Sequence, residues 1–351
     1  MFPTLDTPSV LVDLDIAKAN IRKFQDYCDR HGLKLRPHIK THKLPSLAKY
    51  QIEQGAIGIT CQKISEAEAM IAEGGIEDVL ITYNILGAHK TKRLRDLAAR
   101  VRLSVVVDNM ETIRGLRAAF QDARAPLNVL VECNTGADRC GVAEPKDVLD
   151  LAKAISASPG LRFKGLMTYP PTGKADHVTS WIADAIDALN AEGCPAEVIS
   201  SGGSPDMWRA HEMQLATEYR IGTYVYNDRS LLARGTCTQS DCALTVLATV
   251  VSVPSETRAI IDAGSKVLTS DLLGLDGYGQ IVGRDDLTID QLSEEHGRIV
   301  SNGPIGLSVG DRLHIIPNHA CVVANMLDHV ELIENGTPAG PAQIAARGLV
   351  W

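Results

Sequence analysis

The chain has 351 residues, long enough to bury a sizeable core and to hold two domains. Hydrophobic residues at 45% and charged residues at 22% fit a globular protein, while a net charge of −8 and only 4% aromatics argue against a nucleic-acid or anionic-membrane surface. The first residues hold no basic stretch followed by an apolar run. No segment is apolar for long enough to cross a bilayer, and the eight cysteines are scattered without a CxxC pair, so the expectation is a reduced, cytoplasmic protein.

In chain order, Ser9–Leu14 reads as a strand ahead of everything else. Eight short β-rich runs follow: Leu35–Lys40, Ile57–Cys61, Val79–Tyr83, Leu103–Asp108, Leu127–Glu132, Phe163–Tyr169, Ala196–Ser201 and Thr217–Tyr224. Between them lie segments with helix-like apolar spacing, among them Ser65–Gly74, Asn109–Phe120, Lys146–Ala157 and Val178–Glu192. Strands alternating with helices imply a parallel sheet, and near-continuous apolar strands are what burial on both faces demands. Eight such steps predict a closed (β/α)8 TIM-like barrel over residues 15–240. Beyond it the pattern changes to β-branched runs without long helices: Ala243–Val253, Arg258–Asp262, Arg298–Val300, Asp311–Ile316 and His329–Ile333. Turn signals such as Asp276-Gly277 and Gly310-Asp311 separate them. This predicts a C-terminal antiparallel β domain made of residues 241–351, with 1–14 as the segment available to pair with it.

Chemistry in such a barrel belongs at the C-terminal ends of the strands, and four polar groups matter. The stretch from Arg36 to Lys43 packs His38, Lys40, His42 and Lys43 at the end of the first strand. A lysine partly desolvated there acts as a nucleophile, and the alternative is a basic surface loop. Ser200 to Ser204 and Arg220 to Thr223 follow the last two barrel strands, where Gly and Ser amides cradle phosphate or simply make tight turns. Arg139, in the loop after Glu132, suits an anionic or phenolic oxygen, or an ion pair with Asp138. His319 and Cys321, if on a strand, share one face and offer nitrogen and sulfur to a metal; the alternative is a core cysteine beside a polar histidine.

Together these groups resemble the D-threonine aldolase and D-serine dehydratase family of pyridoxal-phosphate enzymes, which have the alanine-racemase-like fold (fold type III). The resemblance spans nearly the whole chain and rests most on the Pro37-His38-Ile39-Lys40-Thr41-His42-Lys43 and His319-Ala320-Cys321 stretches. It implies pyridoxal 5'-phosphate as cofactor, carried covalently on Lys40. It further implies Arg139 and Tyr169 beside the ring, Gly203, Ser204, Gly222 and Thr223 on the phosphate with Ser201 in the same loop, and Arg220 facing the ring nitrogen. His319 and Cys321 would hold a divalent metal (zinc, manganese, magnesium or cobalt) that grips the substrate hydroxyl. Small amino-acid substrates and a homodimer are implied as well.

The implied activity is a metal-assisted aldolase that cleaves D-configured β-hydroxy amino acids such as D-threonine to glycine and an aldehyde. If the Cα proton is lost instead, water leaves, and the enzyme is a D-serine or D-3-hydroxyaspartate dehydratase. A racemase, or a pyridoxal-phosphate-binding protein without turnover, fits a metal pair less well. One departure stands out: relatives carry a histidine shortly after the tyrosine, whereas Tyr169 is followed by Pro170-Pro171-Thr172-Gly173, and His177 lies farther on.

Overall fold

The computed structural model describes residues 2–351; Met1, the first residue of the segment assigned above to the β-rich domain, lies outside the described residues. The chain divides into two compact units. One holds the residues up to Lys23, Thr41–Leu44 and Thr223–Gly348; the other holds Phe24–Lys40, Pro45–Gly222 and Leu349–Trp351. Residues 15–23, Thr41–Leu44 and residues 223–240, read with the barrel in the sequence, thus fall in the β-rich unit, and Leu349–Trp351, read with the β-rich domain, in the other.

The chain opens with β1 (Ser9–Asp13) and α1 (Leu14–Arg30), then β2 (Lys34–Leu35), α2 (Pro45–Glu53), β3 (Ile59–Cys61), α3 (Ile64–Ile71), β4 (Asp78–Ile81) and α4 (Ala88–Ala98). Next come β5 (Arg102–Val107), α5 (Met110–Phe120), β6 (Leu127–Cys133), α6 (Pro145–Ser156), β7 (Leu161–Thr168), α7 (Ala175–Ala191), β8 (Val198–Ser201) and β9 (Glu218–Tyr219). Strands β2 to β9 form one parallel sheet in the order β2-β9-β8-β7-β6-β5-β4-β3. A bridge from His38 to Thr60, whose amide donates to Pro37 O at 2.7 Å, joins the two ends and closes the ring.

Alternation along the strands sorts the core. Val79, Ile81, Val105, Val107, Val129 and Val131 join the large apolar layer beneath the helices. Leu80, Val106, Leu130 and Met167 form a separate cluster, the filling of the barrel. Ser200 sits beside Met167, and Glu218 beside Ser200, so both point inward; Ser201 and Tyr219 point toward the helices. The helices close the outside with ordinary means. α5 starts where Asn109 Oδ1 accepts the Thr112 amide at 2.9 Å, and it buries Thr112, Ile113, Leu116 and Phe120 along one stripe.

The second unit continues through α8 (Arg229–Ala233), β10 (Leu244–Ser255), β11 (Arg258–Ile261), α9 (Ser265–Leu268), β12 (Gln280–Ile281), β13 (Leu287–Leu292) and β14 (Gly297–Ser301). It ends with β15 (Arg312–Ile316), α10 (Ala320–Ala324), β16 (His329–Glu334) and β17 (Thr337–Gln343). Its sheet runs β13-β14-β11-β10-β1-β16-β17, with β15 pairing β10 and β12. The long β10 pairs with β1 and β15 in its first half and, through two register shifts, with β11 in its second. β1 is paired as anticipated, but its pairing with β16 is parallel, so the sheet is not wholly antiparallel. A parallel pair needs only a long connection, and nearly the whole chain separates these two strands.

Candidate active site

In the barrel unit, Pro37 lacks an amide donor and ends the regular ladder of β2 early. Residues 36–38 still run between their neighbours: Arg36 N donates to Tyr219 O at 2.9 Å and His38 N to Ile221 O at 2.7 Å. The backbone then tightens into a 3-10 turn over Ile39–Thr41, so Lys40 sits on a turn past the strand and not at the strand end expected from sequence. Lys40 is exposed while the residues on either side are buried, which presents its amine outward on a fixed base. Arg36 anchors that base, with Nε on Glu218 Oε2 at 3.0 Å and Nη1 on Asp78 Oδ1 at 2.5 Å.

His38 is buried under Lys40, with Nδ1 accepting the Lys40 amide at 3.4 Å and Nε2 lying 3.2 Å from Gln62 Oε1. A donor to Gln62 and an acceptor for Lys40 make one neutral tautomer. Burial, then the charges of Lys40, Arg220 and Arg139, hold its pKa well below the usual histidine value against the bond to Gln62. The folded state therefore binds fewer protons than the unfolded one. Its contribution to stability is complete above about pH 6.5, the unfolded value, and is lost as pH falls from there toward the folded value. Urea unfolding between about pH 7.5 and about pH 5 is expected to show this loss, and a smaller one in His38→Gln. An equal slope in both proteins would assign it to other groups.

Around this base stand the other barrel groups. Val142 N donates to Glu132 O and Asn134 N to Val142 O, both at 2.9 Å, which closes the loop after β6 on itself. Gly141 makes that closure possible, since a Cβ there would lie 2.5 Å from Asn134 N. Arg139, carried by the loop, stacks on the Tyr169 ring at 4.6 Å and lies 3.8 Å from Glu132. Its ion partner is Glu132, not Asp138, whose carboxylate accepts from Asn134 Nδ2 at 3.2 Å. Arg220 is buried, its Nε donating to Ser200 Oγ at 2.8 Å and Nη2 to Thr168 O at 2.5 Å. Burial lowers its pKa to about 10, against Glu218 and Glu132, so it stays cationic at neutral pH.

Gly202 packs so closely on the Arg220 backbone that a Cβ would stand 1.9 Å from Arg220 O. This brings the loops after β8 and β9 side by side. Gly203 faces the Tyr169 ring, and its carbonyl accepts the Tyr219 hydroxyl at 2.7 Å. Ser204 O accepts the Met207 amide at 3.3 Å, opening the next 3-10 turn. The Ser201 hydroxyl, directed toward the helices, is buried without a partner. An outward amine, two adjoining Gly/Ser loops and two arginines are a donor set that fits an aldehyde bearing a phosphate.

In the β-rich unit, β15 stops at Ile316 and His319 caps α10, with Cys321 inside that short helix. The shared strand face expected from sequence is therefore absent; His319 instead caps the short helix that carries Cys321, whose thiol raises the His319 pKa. Asp228, fully buried, fixes the turn: Oδ2 accepts the Ala320 amide at 3.0 Å, and Oδ1 caps α8 through Leu231 N at 3.1 Å. Cys321 Sγ lies 3.1 Å from the hydroxyl of Thr41, the residue after Lys40, and 3.4 Å from that of Thr223. The Thr223 side chain is thus directed at Cys321, leaving its backbone for any phosphate contact. His319 Nδ1 meets Asp271 Oδ2 at 2.7 Å. Burial opposes a charge on His319, but the bond to Cys321 and its charge, then Asp271 and Asp228, push its pKa up to about 9. Negative groups gathered on an imidazole and a thiol suit a divalent cation. Among the described residues no third His, Cys, Asp or Glu completes a set with them.

Sequence reasoning missed Asp271 and Asp228. Neither lies in a local motif, and each reaches the His319 segment across long chain separations, 48 residues for Asp271. Only the Asp276-Gly277 turn hinted at the loop that carries Asp271.

Comparison with known proteins follows the same lines. Residues 12–230 match the model of the alanine racemase N-terminal domain, and residues 243–333 that of a putative serine dehydratase domain. The chain is 34% identical to a 3-hydroxy-D-aspartate aldolase of Paracoccus denitrificans, over 98% of its own length and 92% of the relative's. It superposes on the crystal structure of a D-threonine aldolase from Filomicrobium marinum with a TM-score of 0.92 at 33% identity, covering 99% and 97% of the two chains. It is also 31% identical to a D-threo-3-hydroxyaspartate dehydratase of Delftia sp., over 91% of each chain. Solved variants of a dehydratase of that name, with TM-scores of 0.89 at 28% identity, include a histidine-to-alanine form and, two positions on, a cysteine-to-alanine form that is metal-free. These cover 97% of this chain and 95% and 98% of theirs. No described helix is long and apolar enough to cross a membrane.

Proposed function

The chain belongs to the D-threonine aldolase and D-serine dehydratase family of alanine-racemase-like, pyridoxal-phosphate-dependent lyases, and from that premise we propose that it is a metal-assisted aldolase acting on D-configured β-hydroxy amino acids. The products are glycine and an aldehyde. The observation that carries this reading is the 34% identity to an aldolase over 98% of the chain.

When bound, pyridoxal phosphate supplies an electron sink for a carbanion at Cα, and a divalent metal supplies a Lewis acid for the β-hydroxyl. Everything else falls to the protein. Lys40 offers its amine from a rigid turn, with neutral His38 beneath it. Arg139, flattened on Tyr169, presents its donors to the oxygen of the ring, while Gly203, Ser204, Gly222 and the Thr223 backbone take the phosphate. Arg220 stays protonated in its buried network and would hold a donor toward the ring nitrogen. His319 and Cys321 hold the metal, and Asp228 secures their turn. The assembly acts as a homodimer in the cytoplasm on small amino acids.

A dehydratase is the second reading, favoured by one observation. The His319-x-Cys321 spacing matches the histidine and cysteine replaced in the solved dehydratase variants. A product assay separates the two. The purified protein is incubated with pyridoxal phosphate and D-threonine, D-serine or D-3-hydroxyaspartate, with and without a chelator. Glycine plus an aldehyde, lost on chelation, is the expected result. Ammonia plus a 2-oxo acid would replace the aldolase reading with the dehydratase.

A further inference from the structure

His319 makes a bond that the reading above does not use. A carboxylate only accepts, so the 2.7 Å contact with Asp271 Oδ2 places a proton on His319 Nδ1. That leaves Nε2 as the nitrogen that would meet a metal, giving up its own proton as the metal binds. Asp271 is itself held in place. Asn318, the neighbour of His319, donates from Nδ2 to Asp271 O at 3.3 Å and to Gly277 O at 2.8 Å. Arg229 Nη1 donates to Asp276 O at 2.7 Å and to Asn318 Oδ1 at 3.1 Å. The loop is thereby pinned at both ends of its turn, and the carboxylate faces one nitrogen of one ring. Among the described residues, His319, Cys321 and Asp271 do not form a three-residue metal-binding cluster.

We propose that Asp271 is a positioning residue of the metal centre: it fixes the tautomer and ring orientation of His319 so that Nε2 meets the metal, without being a ligand itself. The inference rests on the reading that His319 and Cys321 hold the metal. A carboxylate on the far nitrogen also makes the imidazole a better electron donor. An uncharged acceptor of the same shape keeps the orientation and gives up only the charge, so Asp271→Asn and Asp271→Ala separate the two contributions.

The test uses the pyridoxal-phosphate-loaded protein, stripped of metal by a chelator and titrated with Co2+. The thiolate-to-cobalt absorbance reports Cys321, and equilibrium dialysis gives the affinity. Asp271→Ala is expected to bind Co2+ roughly 10- to 100-fold more weakly. The thiolate band should return at saturation, and Asp271→Asn should recover most of the affinity. Unchanged affinity in Asp271→Ala would overturn the proposal. So would loss as complete as in His319→Ala, which would make Asp271 a ligand. Failure of the unsubstituted protein to bind Co2+ would instead remove the metal reading of His319 and Cys321 on which the proposal stands.

Discussion

Lys40→Ala is expected to leave a folded protein that no longer retains pyridoxal phosphate through a covalent bond and no longer turns over. The side chain is exposed at the top of its turn and takes part in none of the bonds that hold that turn, so its removal spares the fold. The bonds that matter belong to Arg36, His38 and the backbone. Loss of a covalent catalyst costs on the order of 10⁴-fold or more. The measurement is the visible absorbance of the protein-bound cofactor after gel filtration, together with product formation. A retained band in Lys40→Ala would assign the covalent bond to another lysine. Lys43 is the nearest in sequence, but its Nζ is engaged by Asn325 Oδ1 at 2.7 Å and Ala346 O at 3.1 Å.

The second large effect is expected at His319. On the reading proposed above, His319→Ala removes one of two protein ligands, where a closed structural site would retain three. Metal content and activity should fall together. A Lewis acid contributes several kcal/mol at the transition state, so activity should drop about 10³-fold. Metal analysis of the dialysed protein and the product assay check this in one preparation. Full turnover by His319→Ala without metal would end the metal-assisted mechanism. Cys321→Ser keeps a polar group in the turn and isolates the sulfur: the cobalt absorbance should vanish even where some metal remains.

How much of this was legible in the sequence varied with the physics of each element. Strands β4, β5 and β6 announced themselves because both faces are buried, and Val79–Ile81 or Val105–Val107 leave little else to be. Strands β13 and β17 did not. They form the two ends of their sheet, where one side has no neighbour. There Pro338 and Pro341 are tolerated without an amide, and half the residues of β13 are polar and exposed. Strand β12 has two residues and exists only because β15 lies beside it.

The site divides in the same way. The residue types and their order along the chain were fixed locally: a lysine flanked by histidines after a proline, Gly/Ser loops after the last two barrel strands, and a histidine two residues from a cysteine. Those patterns carry chemistry that few other residues supply, so the pyridoxal-phosphate family was readable. Geometry was not. Pro37 shortens β2 and puts Lys40 on a 3-10 turn, and Asp228 receives the Ala320 amide and turns the expected strand into a helix. Asp271 finds His319 across 48 residues. Side-chain period and local propensity act over a few residues, whereas these contacts are selected by packing among segments distant in sequence. The sequence by itself determined which groups the protein brings to its chemistry. The tertiary structure alone decided which distant segments those groups meet.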